Sequence, residues 1–227
     1  KKMSLIAKTA GNRRVVIDQV TPSIDGGRNP FKRAIGDWIP FTTHAFADSH
    51  DLIQVELRIR KVDTKAWQSL PMSPIGNDEF EVTYRTDSIG LFEFEVAGVI
   101  DHYGSWQEGF QKKHKEGIPL DLECRIGAEL LEQAATRANK KHASKLREWA
   151  ANLADSTTDI EARINLAHSR HVAGIARIYP QRDWETKSTR SLMLVDRELA
   201  AFSTWYEYFP RSCVYDGKTH GTFKDAA

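Results

Sequence analysis

The chain has 227 residues, of which 41% are hydrophobic and 28% are charged, and its formal net charge is +1. This length suffices for one large domain or two modest ones, and a charge near zero provides no strong field for nucleic acid or an anionic membrane. No apolar run approaches the roughly 20 residues of a membrane helix. The two distant cysteines, Cys124 and Cys213, cannot build a disulfide framework. We therefore expect a cytoplasmic protein without membrane or nucleic-acid partners.

Short strands dominate the first part of the chain. Residues 1–13 are polar and predict a flexible tail. Within 52–61, an apolar residue at every second position predicts a strand with one buried face. Strands are predicted at 14–20, 38–46, 52–61, 66–70, 79–85 and 91–100, with a turn-rich loop at 21–30. Short strands separated by turns are typical of an antiparallel sandwich, whereas parallel strands would be apolar on both faces.

The stretch 91–106 marks the change from strand to helix. Phe92, Phe94 and Val96 alternate with other residues, and this pattern breaks at 101–105. From Trp106 onward the apolar spacing becomes helical. Buried stripes are predicted through Ile126, Leu130, Ala134 and Ala138, through Leu146, Trp149, Ala150 and Leu153, and through Ile160, Ile164, Ala167, His171 and Ile175. We therefore expect a bundle of three or four helices.

Several residues predict where these helices begin and end. Gly117 is a suitable C-terminal cap for the first helix, and Pro119 can occupy the first turn of the next. Thr158 and Glu161 fit a capping box at the start of the last helix. Tyr179-Pro180 ends that helix, because proline cannot continue it.

Strand character returns at 192–200, which we interpret as the last strand of the sandwich. A long insertion between two strands of one sheet costs little, because loop-closure entropy grows slowly with length. The expected organisation is a flexible tail at 1–13, a sandwich at 14–105 plus 185–200, an inserted helical bundle at 106–184, and a separate segment at 201–227.

Two histidines and two basic runs are candidate sites. His168 and His171 are spaced to share one helix face, as a metal pair requires, but no Cys, Asp or Glu supplies a third ligand at a telling distance. An ordinary helix histidine is the favoured interpretation, and we expect no metal. The basic runs at 112–115 and 140–142 lie among glutamates in a nearly neutral chain, so a solvated helix face is favoured over nucleic-acid binding.

Six tryptophans raise the question of sugar stacking, because a flat aromatic face can contact the CH groups of a sugar ring. Core packing is favoured for any single one of them, since a tryptophan buries a large apolar area. The six are Trp38, Trp67, Trp106, Trp149, Trp184 and Trp205.

The chain has no recognisable active site. Glycoside chemistry needs two positioned carboxylates, and the spacing of the acidic residues gives no reason to pair any two. No nucleophile elbow, phosphate loop or zinc motif is present. We therefore assign no catalytic residue, leave substrate-binding residues unknown, and expect no cofactor.

The segment 205–223 differs from what precedes it. A short apolar strand is followed by Pro210 and a glycine-bearing loop, which is typical of the first strand and loop of a barrel. Together with two earlier stretches, 14–28 and 92–106, this segment resembles the N-terminal part of the α-1,4-glucan:maltose-1-phosphate maltosyltransferases, a subfamily of glycoside hydrolase family 13. The likeness covers roughly residues 14–227.

This resemblance implies an α+β multidomain protein. It implies an immunoglobulin-like antiparallel β-sandwich with an inserted α-helical bundle, followed by the truncated start of a (β/α)₈ barrel. Such enzymes transfer maltosyl from α-maltose 1-phosphate to α-1,4-glucan with retention. No residue here matches their catalytic Asp and Glu. The loop bearing Arg211, Ser212 and His220 would end at the catalytic face of the barrel.

Two hypotheses for function follow. In the first, the chain is the non-catalytic N-terminal region of such an enzyme, inactive alone, and acts as a scaffold for homodimer formation and for the barrel. In the second, it is a glucan-binding accessory module of an α-amylase-family enzyme, a hypothesis that depends on the tryptophans.

Overall fold

The computed structural model describes residues 14–202, 207–212, 217 and 220–225. In this part the chain forms ten strands and five α-helices. The strands are β1 (Val15–Thr21), β2 (Phe31–Ala34), β3 (Trp38–Ala47), β4 (Ile53–Lys61), β5 (Gln68–Pro71), β6 (Ser73–Gly76), β7 (Glu79–Arg85), β8 (Gly90–Ile100), β9 (Thr186–Lys187) and β10 (Ser191–Asp196). The helices are α1 (His102–Lys115), α2 (Asp121–Arg137), α3 (Lys140–Ala154), α4 (Ile160–Ala167) and α5 (Arg170–Ile178).

The strands form two sheets around a shared core. One sheet has the order β1-β3-β7-β6, and the other has the order β2-β10-β8-β4-β5, with β9 paired to β8. The pairs are antiparallel except β2 with β10, which are parallel. The prediction of a fully antiparallel sandwich is therefore wrong at this edge. Antiparallel neighbours can be joined by a tight hairpin, but β2 and β10 are separated by most of the chain, so nothing local imposes their relative direction.

Alternation along the strands places one apolar face inside the sandwich. Phe31, Phe41 and Phe94 meet edge to face, with ring centroids 5.0 to 6.2 Å apart. Strand β8 is central, because it pairs with β4 from Phe92 to Ile100 on one side and with β10 and β9 on the other. The expectation that this strand forms the core of the first module is confirmed.

The helices follow one another between β8 and β9 and bury a second apolar core. Trp106 lies in this core, and its indole N–H donates to the carbonyl of Glu123 at 3.0 Å. Arg163 is also buried, where it donates to the Leu153 carbonyl at 3.0 Å and to Asp121 at 2.9 Å. The guanidinium therefore ties together the ends of three helices, a role that helical periodicity does not reveal.

Most predicted strands are confirmed within a few residues, but short edge strands were missed. Strand β6 contains Pro74, which it tolerates because β6 lies at a sheet edge. Strands β2 and β9 are too short to show alternation. The strand predicted at 192–200 ends at Asp196, and the chain then forms a 3₁₀ turn at Glu198–Ala201.

The helix ends differ from prediction where capping decides them. The first helix begins at His102 rather than Trp106, because Asp101 caps it. The single helix expected after 160 is two helices, and Ser169 caps the second by accepting from the Val172 amide at 3.4 Å. The predicted capping box is wrong, since Asp159 occupies the N-cap without a side-chain bond.

Two further predictions concern the helix ends. Gly117 adopts a positive φ of 71° directly after the first helix, as expected for a C-terminal cap. Pro119, in contrast, precedes Leu120, the N-cap of α2, and lies outside that helix.

Parts of the predicted tails lie outside the described residues. These include the segment 1–13, which was predicted to be a flexible tail, and Cys213 and Trp205. Glu207–Phe209, where the barrel strand was expected to continue, are not in a strand, and Pro210–Ser212 form a 3₁₀ turn. The start of a barrel at 201–227 remains a prediction.

The contact between α1 and α2 depends on Gly127. A Cβ atom at this position would lie 2.2 Å from the ring of the buried Trp106. We expect Gly127→Ala to lower the free energy of unfolding by about 1–3 kcal/mol through overpacking. Gly109→Ala is the matched control, because nothing lies within 4 Å of its added methyl group, and it should stabilise α1 by about 0.5–1 kcal/mol. Urea denaturation of both variants measures the difference, and equal effects would contradict this packing.

Candidate functional site

Asp101 is the joint between the sandwich and the helices. Its carboxylate caps α1 by accepting from the Gly104 amide at 2.9 Å. The same carboxylate lies 3.1 Å from the guanidinium of Arg177 at the end of α5. Its backbone amide donates to the carbonyl of Leu52 at 2.8 Å. One buried residue therefore connects the end of β8, the first turn of α1 and the last turn of α5 to the loop before β4.

Ser105 reinforces this joint. Its hydroxyl donates to the Asp101 carbonyl at 2.8 Å and accepts from the Leu52 amide at 2.8 Å. The loop between β3 and β4 is thereby bound to the first turn of α1. An Asp or Ser just before a helical pattern is a known N-cap signal, so Asp101 could have been recognised from sequence, but its partners Leu52 and Arg177 could not.

A network of charges on the outer face of the larger sheet forms a second connection. Arg58 on β4 contacts Glu56 on the same strand at 2.6 Å and Glu95 on β8 at 3.7 Å. It also pairs with Glu185 from the segment that follows the helices. Arg182 from that segment reaches back to Glu56 at 2.9 Å. The segment that follows the helices is therefore bound to strand β4, which lies more than 100 residues earlier in the chain.

Trp67 contacts two guanidinium groups of this network. Arg60 lies 4.4 Å and Arg190 lies 5.3 Å from the centroid of its indole ring. Arg190 also pairs with the buried Glu95 at 3.1 Å. Cation–π contacts of this kind are favourable when partly desolvated, so this tryptophan is a structural part of the network.

The ionisation of Glu185 indicates a structural role for these charges. Burial raises the pKa of its carboxyl, but hydrogen bonds and charges from Arg58 and Arg182 outweigh burial, and the pKa lies below its ordinary value. A general acid needs a raised pKa near the working pH. Glu185 is therefore held as an ionised partner for arginine, which is the opposite of what acid catalysis requires.

A groove of about 1250 Å³ opens beside this joint, between the sandwich and the helices. Its lining includes the loop 49–52 and, from α5, Ala173, Gly174 and Arg177. Planar polar side chains line it as well, and together they offer both hydrogen-bond donors and acceptors. They are His50, Asp51, Gln54, Glu56, Gln107 and Arg182. The groove has the polar chemistry that suits a hydroxyl-rich ligand, although several of these groups already have partners within the chain.

The tryptophans divide between core and surface. Trp106 is buried and Trp149 is partly buried against the bundle core, as predicted. Trp38 and Trp184 are 67% and 52% exposed, so the core interpretation is wrong for these two. Trp38 lies at the start of β3 with Arg85 5.6 Å from its ring. An exposed indole ring is available to contact a ligand or another protein. The sequence pattern does not distinguish such a tryptophan from a core residue.

A helix break separates His168 from His171, the candidate metal pair. His168 caps the end of α4, whereas His171 lies in α5 with its ring 5.5 Å from that of Trp149. The nearest imidazole to His168 belongs instead to His114, at the end of α1. Among the described residues, no group of three or more His, Cys, Asp or Glu side chains is arranged to hold a metal ion.

The basic runs lie on helix surfaces, as expected. Lys113 pairs with Glu123 at 2.5 Å, and His142 contacts the hydroxyl of Tyr179 at 2.8 Å. None of the helices in the described ranges is both long and apolar enough to cross a membrane.

An exposed apolar stripe runs along the start of α2. Leu122 and Ile126 are spaced four residues apart on α2, so they share one side of the helix, and Leu122 is 57% exposed. Ile118, which precedes the helix, is exposed too. Ile160, at the start of α4, is exposed as well. We call Ile118, Leu122, Ile126 and Ile160 the α2 stripe. The prediction that Ile126, Ile160 and His171 lie in buried stripes is wrong, because all three are exposed.

Comparison with known proteins connects this architecture to a family. A family model described as alpha-1,4-glucan:maltose-1-phosphate maltosyltransferase, domain N/S, matches residues 13–197. The chain belongs to this family. The resemblance found in the sequence is thus confirmed, and the match ends beside the last residue of β10. The N/S domain therefore coincides with the sandwich and its helices.

Curated relatives carry the same name. The chain is 39% identical to alpha-1,4-glucan:maltose-1-phosphate maltosyltransferase of Chlorobaculum tepidum, over 95% of the chain and 32% of that protein. It is 33% identical to the protein of Methylacidiphilum infernorum (95% and 32%) and 32% identical to that of Pseudomonas aeruginosa (93% and 32%). The chain spans about a third of the length of these relatives.

Asp101 is the residue of this N/S domain whose removal should loosen both modules. We expect Asp101→Ala to lower the free energy of unfolding by about 2 kcal/mol, because α1 loses its cap and Arg177 loses a buried partner. Asp101→Asn keeps the capping oxygen and should cost less. Asp159→Ala is the control, because that N-cap makes no side-chain bond, and it should change stability by less than about 0.5 kcal/mol. Chemical denaturation distinguishes these cases, and equal costs at Asp101 and Asp159 would refute the assignment.

Proposed function

We propose that this chain is the non-catalytic N-terminal region of a retaining maltosyltransferase that transfers maltosyl from α-maltose 1-phosphate to α-1,4-glucan. Its role is that of a scaffold for dimer formation and for the catalytic barrel. The observation that carries this proposal is the extent of the family match, which covers both the sandwich and the helices. The chain also spans only about a third of the length of its relatives. The chemistry of the described residues is consistent with it.

The buried carboxylates support a structural role. Glu95 lies 3.1 Å from Arg190, Asp101 lies 3.1 Å from Arg177, and Glu123 lies 2.5 Å from Lys113. Each of these carboxylates is engaged in an ion pair within the chain, whereas glycoside chemistry needs two carboxyl groups positioned on a substrate. We infer that the acidic residues of this chain hold the two modules together.

We further propose the domain organisation expected from the sequence. The sandwich is immunoglobulin-like and comprises 14–105 with 185–200, the helical insertion comprises 106–184, and 201–227 begin the barrel. Large apolar side chains after the matched domain support a further packing partner, since Leu199, Phe202, Phe209 and Phe223 are all exposed. Side chains of this size are normally covered in a complete fold.

The α2 stripe is the surface we propose for the dimer contact. Exposed apolar residues that repeat along one helix face are typical of helix-to-helix contacts between subunits. Two copies related by a two-fold axis would place the same stripe against itself, as closed dimers require. Charged residues flank this stripe, including Glu129 on α2 and Glu161 on α4, which would keep its rim in water.

Light scattering tests this contact. We expect the chain to form a dimer, and Leu122→Asp to convert it to a monomer, because a carboxylate would be buried at the centre of the interface. Ser144→Asp, which adds the same charge on an exposed position of α3, should leave the dimer intact. A wild-type chain that is monomeric at high concentration would overturn the dimer proposal.

Glucan binding is a second candidate function, favoured by the exposure of Trp38 and Trp184. If either ring stacks on sugar, maltoheptaose should change tryptophan fluorescence in a saturable way. Replacing the relevant tryptophan with alanine should then weaken binding roughly tenfold, equivalent to about 1.4 kcal/mol. Cellohexaose, which has β-linkages, is the control ligand. Cellohexaose should cause no saturable change. If maltoheptaose also causes none, glucan binding is contradicted and the scaffold role alone is favoured.

A further inference from the structure

Two imidazole groups meet on the surface of the helical bundle. Nδ1 of His114 lies 3.3 Å from Nε2 of His168. His114 is exposed in the last turn of α1, and His168 is half-buried directly after α4. Phe110 contacts the ring of His168 edge to face, with ring centroids 5.6 Å apart, which restricts the position of that ring. The pair therefore joins the end of α1 to the turn between α4 and α5.

This contact depends on the number of protons that the two rings carry. A hydrogen bond between imidazoles requires an N–H group on one ring and a lone pair on the facing nitrogen of the other. The lone pair is available as long as one of the two rings is neutral. When both rings are protonated, an N–H group faces an N–H group and two positive charges repel each other. The second proton therefore converts an attractive contact into a repulsive one.

We propose that His114 and His168 form a pH-sensitive switch, which holds the end of α1 on the turn between α4 and α5 near neutral pH and releases it in mild acid. The release is local. Gln107, nearer the start of α1, donates to the carbonyl of Ala167 at 2.7 Å, and Phe110 is fully buried in the bundle core. Neither contact involves a titrating group, so the first part of α1 stays packed when its end is released.

The surroundings of His168 oppose a second positive charge. Burial lowers the pKa of its imidazole, and the charges of His114 and Lys115 lower that pKa further. In the described part of the chain, the charges that act on His168 are thus all basic. The carbonyls at the ends of α1 and α4 favour a cation, but they serve both rings, and the first proton already occupies that position.

The helices packed around the pair add no carboxylate that is free to compensate. On α1, Lys113 pairs with Glu123 of α2 at 2.5 Å, so these two charges neutralise each other. From α5 come Arg170 and His171, both exposed and both basic in type. The ring of His171 contacts Trp149 of α3 rather than the pair. Protonation of both rings is therefore opposed from each neighbouring element.

The direction of the pH dependence follows from proton linkage. The pKa of His168 in the closed pair lies below its ordinary value of 6.5, so the open chain binds the proton more readily. The closed contact is therefore fully stable above about pH 6.5, and it loses stability as the pH falls from there through the pKa of the closed pair. Ordinary carboxyl groups stay ionised above about pH 5. The ion pairs of Asp101 and Glu185 are accordingly intact in this window.

Nuclear magnetic resonance of the histidine rings, titrated from about pH 7.5 to about pH 5.5, tests the protonation step. We expect His168 to titrate below the value of a free imidazole in the unmodified chain. His114→Gln should move its titration back toward that value, because one repelling charge is removed, and Lys115→Gln should do the same. A ring of His168 that titrates at or above the ordinary value in the unmodified chain would overturn the proposal.

Amide hydrogen exchange, corrected for the intrinsic effect of pH on the exchange rate, tests the release. Between about pH 7.5 and about pH 5.5, exchange at 111–117 and 167–171 should become several-fold faster, whereas α2 should stay protected. His168→Gln should remove this acceleration, because an amide can bond to His114 but does not take up a proton. Circular dichroism at the higher pH confirms that the variant folds. Equal acceleration in the variant and the unmodified chain would refute the switch.

His171→Gln is the matched control, because it removes an exposed histidine three residues from His168 that lies outside the pair. This variant should keep the acid-dependent acceleration of exchange. Loss of the acceleration in His171→Gln would contradict the assignment to the pair. Both measurements follow individual residues and need neither dimer formation nor glucan, so their failure would leave the proposed function unchanged.

Discussion

The buried carboxylate of Asp101 is the constraint on which the arrangement of the two modules depends. It lies where the central strand β8 ends, caps α1 through Gly104, and pairs with Arg177 of α5. Its backbone amide is bound to Leu52. A buried charge is costly without partners, so this residue stabilises the structure only when strand, loop and both helices are in place together. The sandwich and the helical bundle are thereby fixed at one point rather than tethered by flexible linkers.

The charge network on the outer face of the larger sheet fixes the second point. The chain leaves the sandwich at β8 and returns through Arg182 and Glu185, which bind Glu56 and Arg58 on β4. These pairs are partly buried and share partners, so they are less screened than isolated surface pairs. Because exit and return are both anchored, the helical insertion has a defined position on the sandwich. A defined position of this kind is compatible with the scaffold role that we propose.

The surfaces left over after these internal contacts are where function has to be sought. The α2 stripe, the exposed Trp38 and Trp184, and the groove beside Asp101 each remain open in the described part of the chain. They differ in chemistry: the stripe is apolar, the tryptophans are flat and amphipathic, and the groove is lined by planar polar groups. The α2 stripe suits a dimer contact, and the exposed tryptophans suit a sugar. The scaffold and glucan-binding functions would therefore use different surfaces of the molecule.

Local pattern in the sequence determined which residues form strands, which form helices, and which faces are apolar. Alternation in β4 and β8 identified the inner face of the sandwich, since side chains of a strand point alternately to its two sides. Tertiary structure alone decided what covers each face. The parallel pairing of β2 with β10, the meeting of Arg58 with Glu185, and the approach of His114 to His168 join positions far apart in the chain. Periodicity reports the direction of a side chain but not its partner, so Ile126 and Trp38 were expected inside and lie outside.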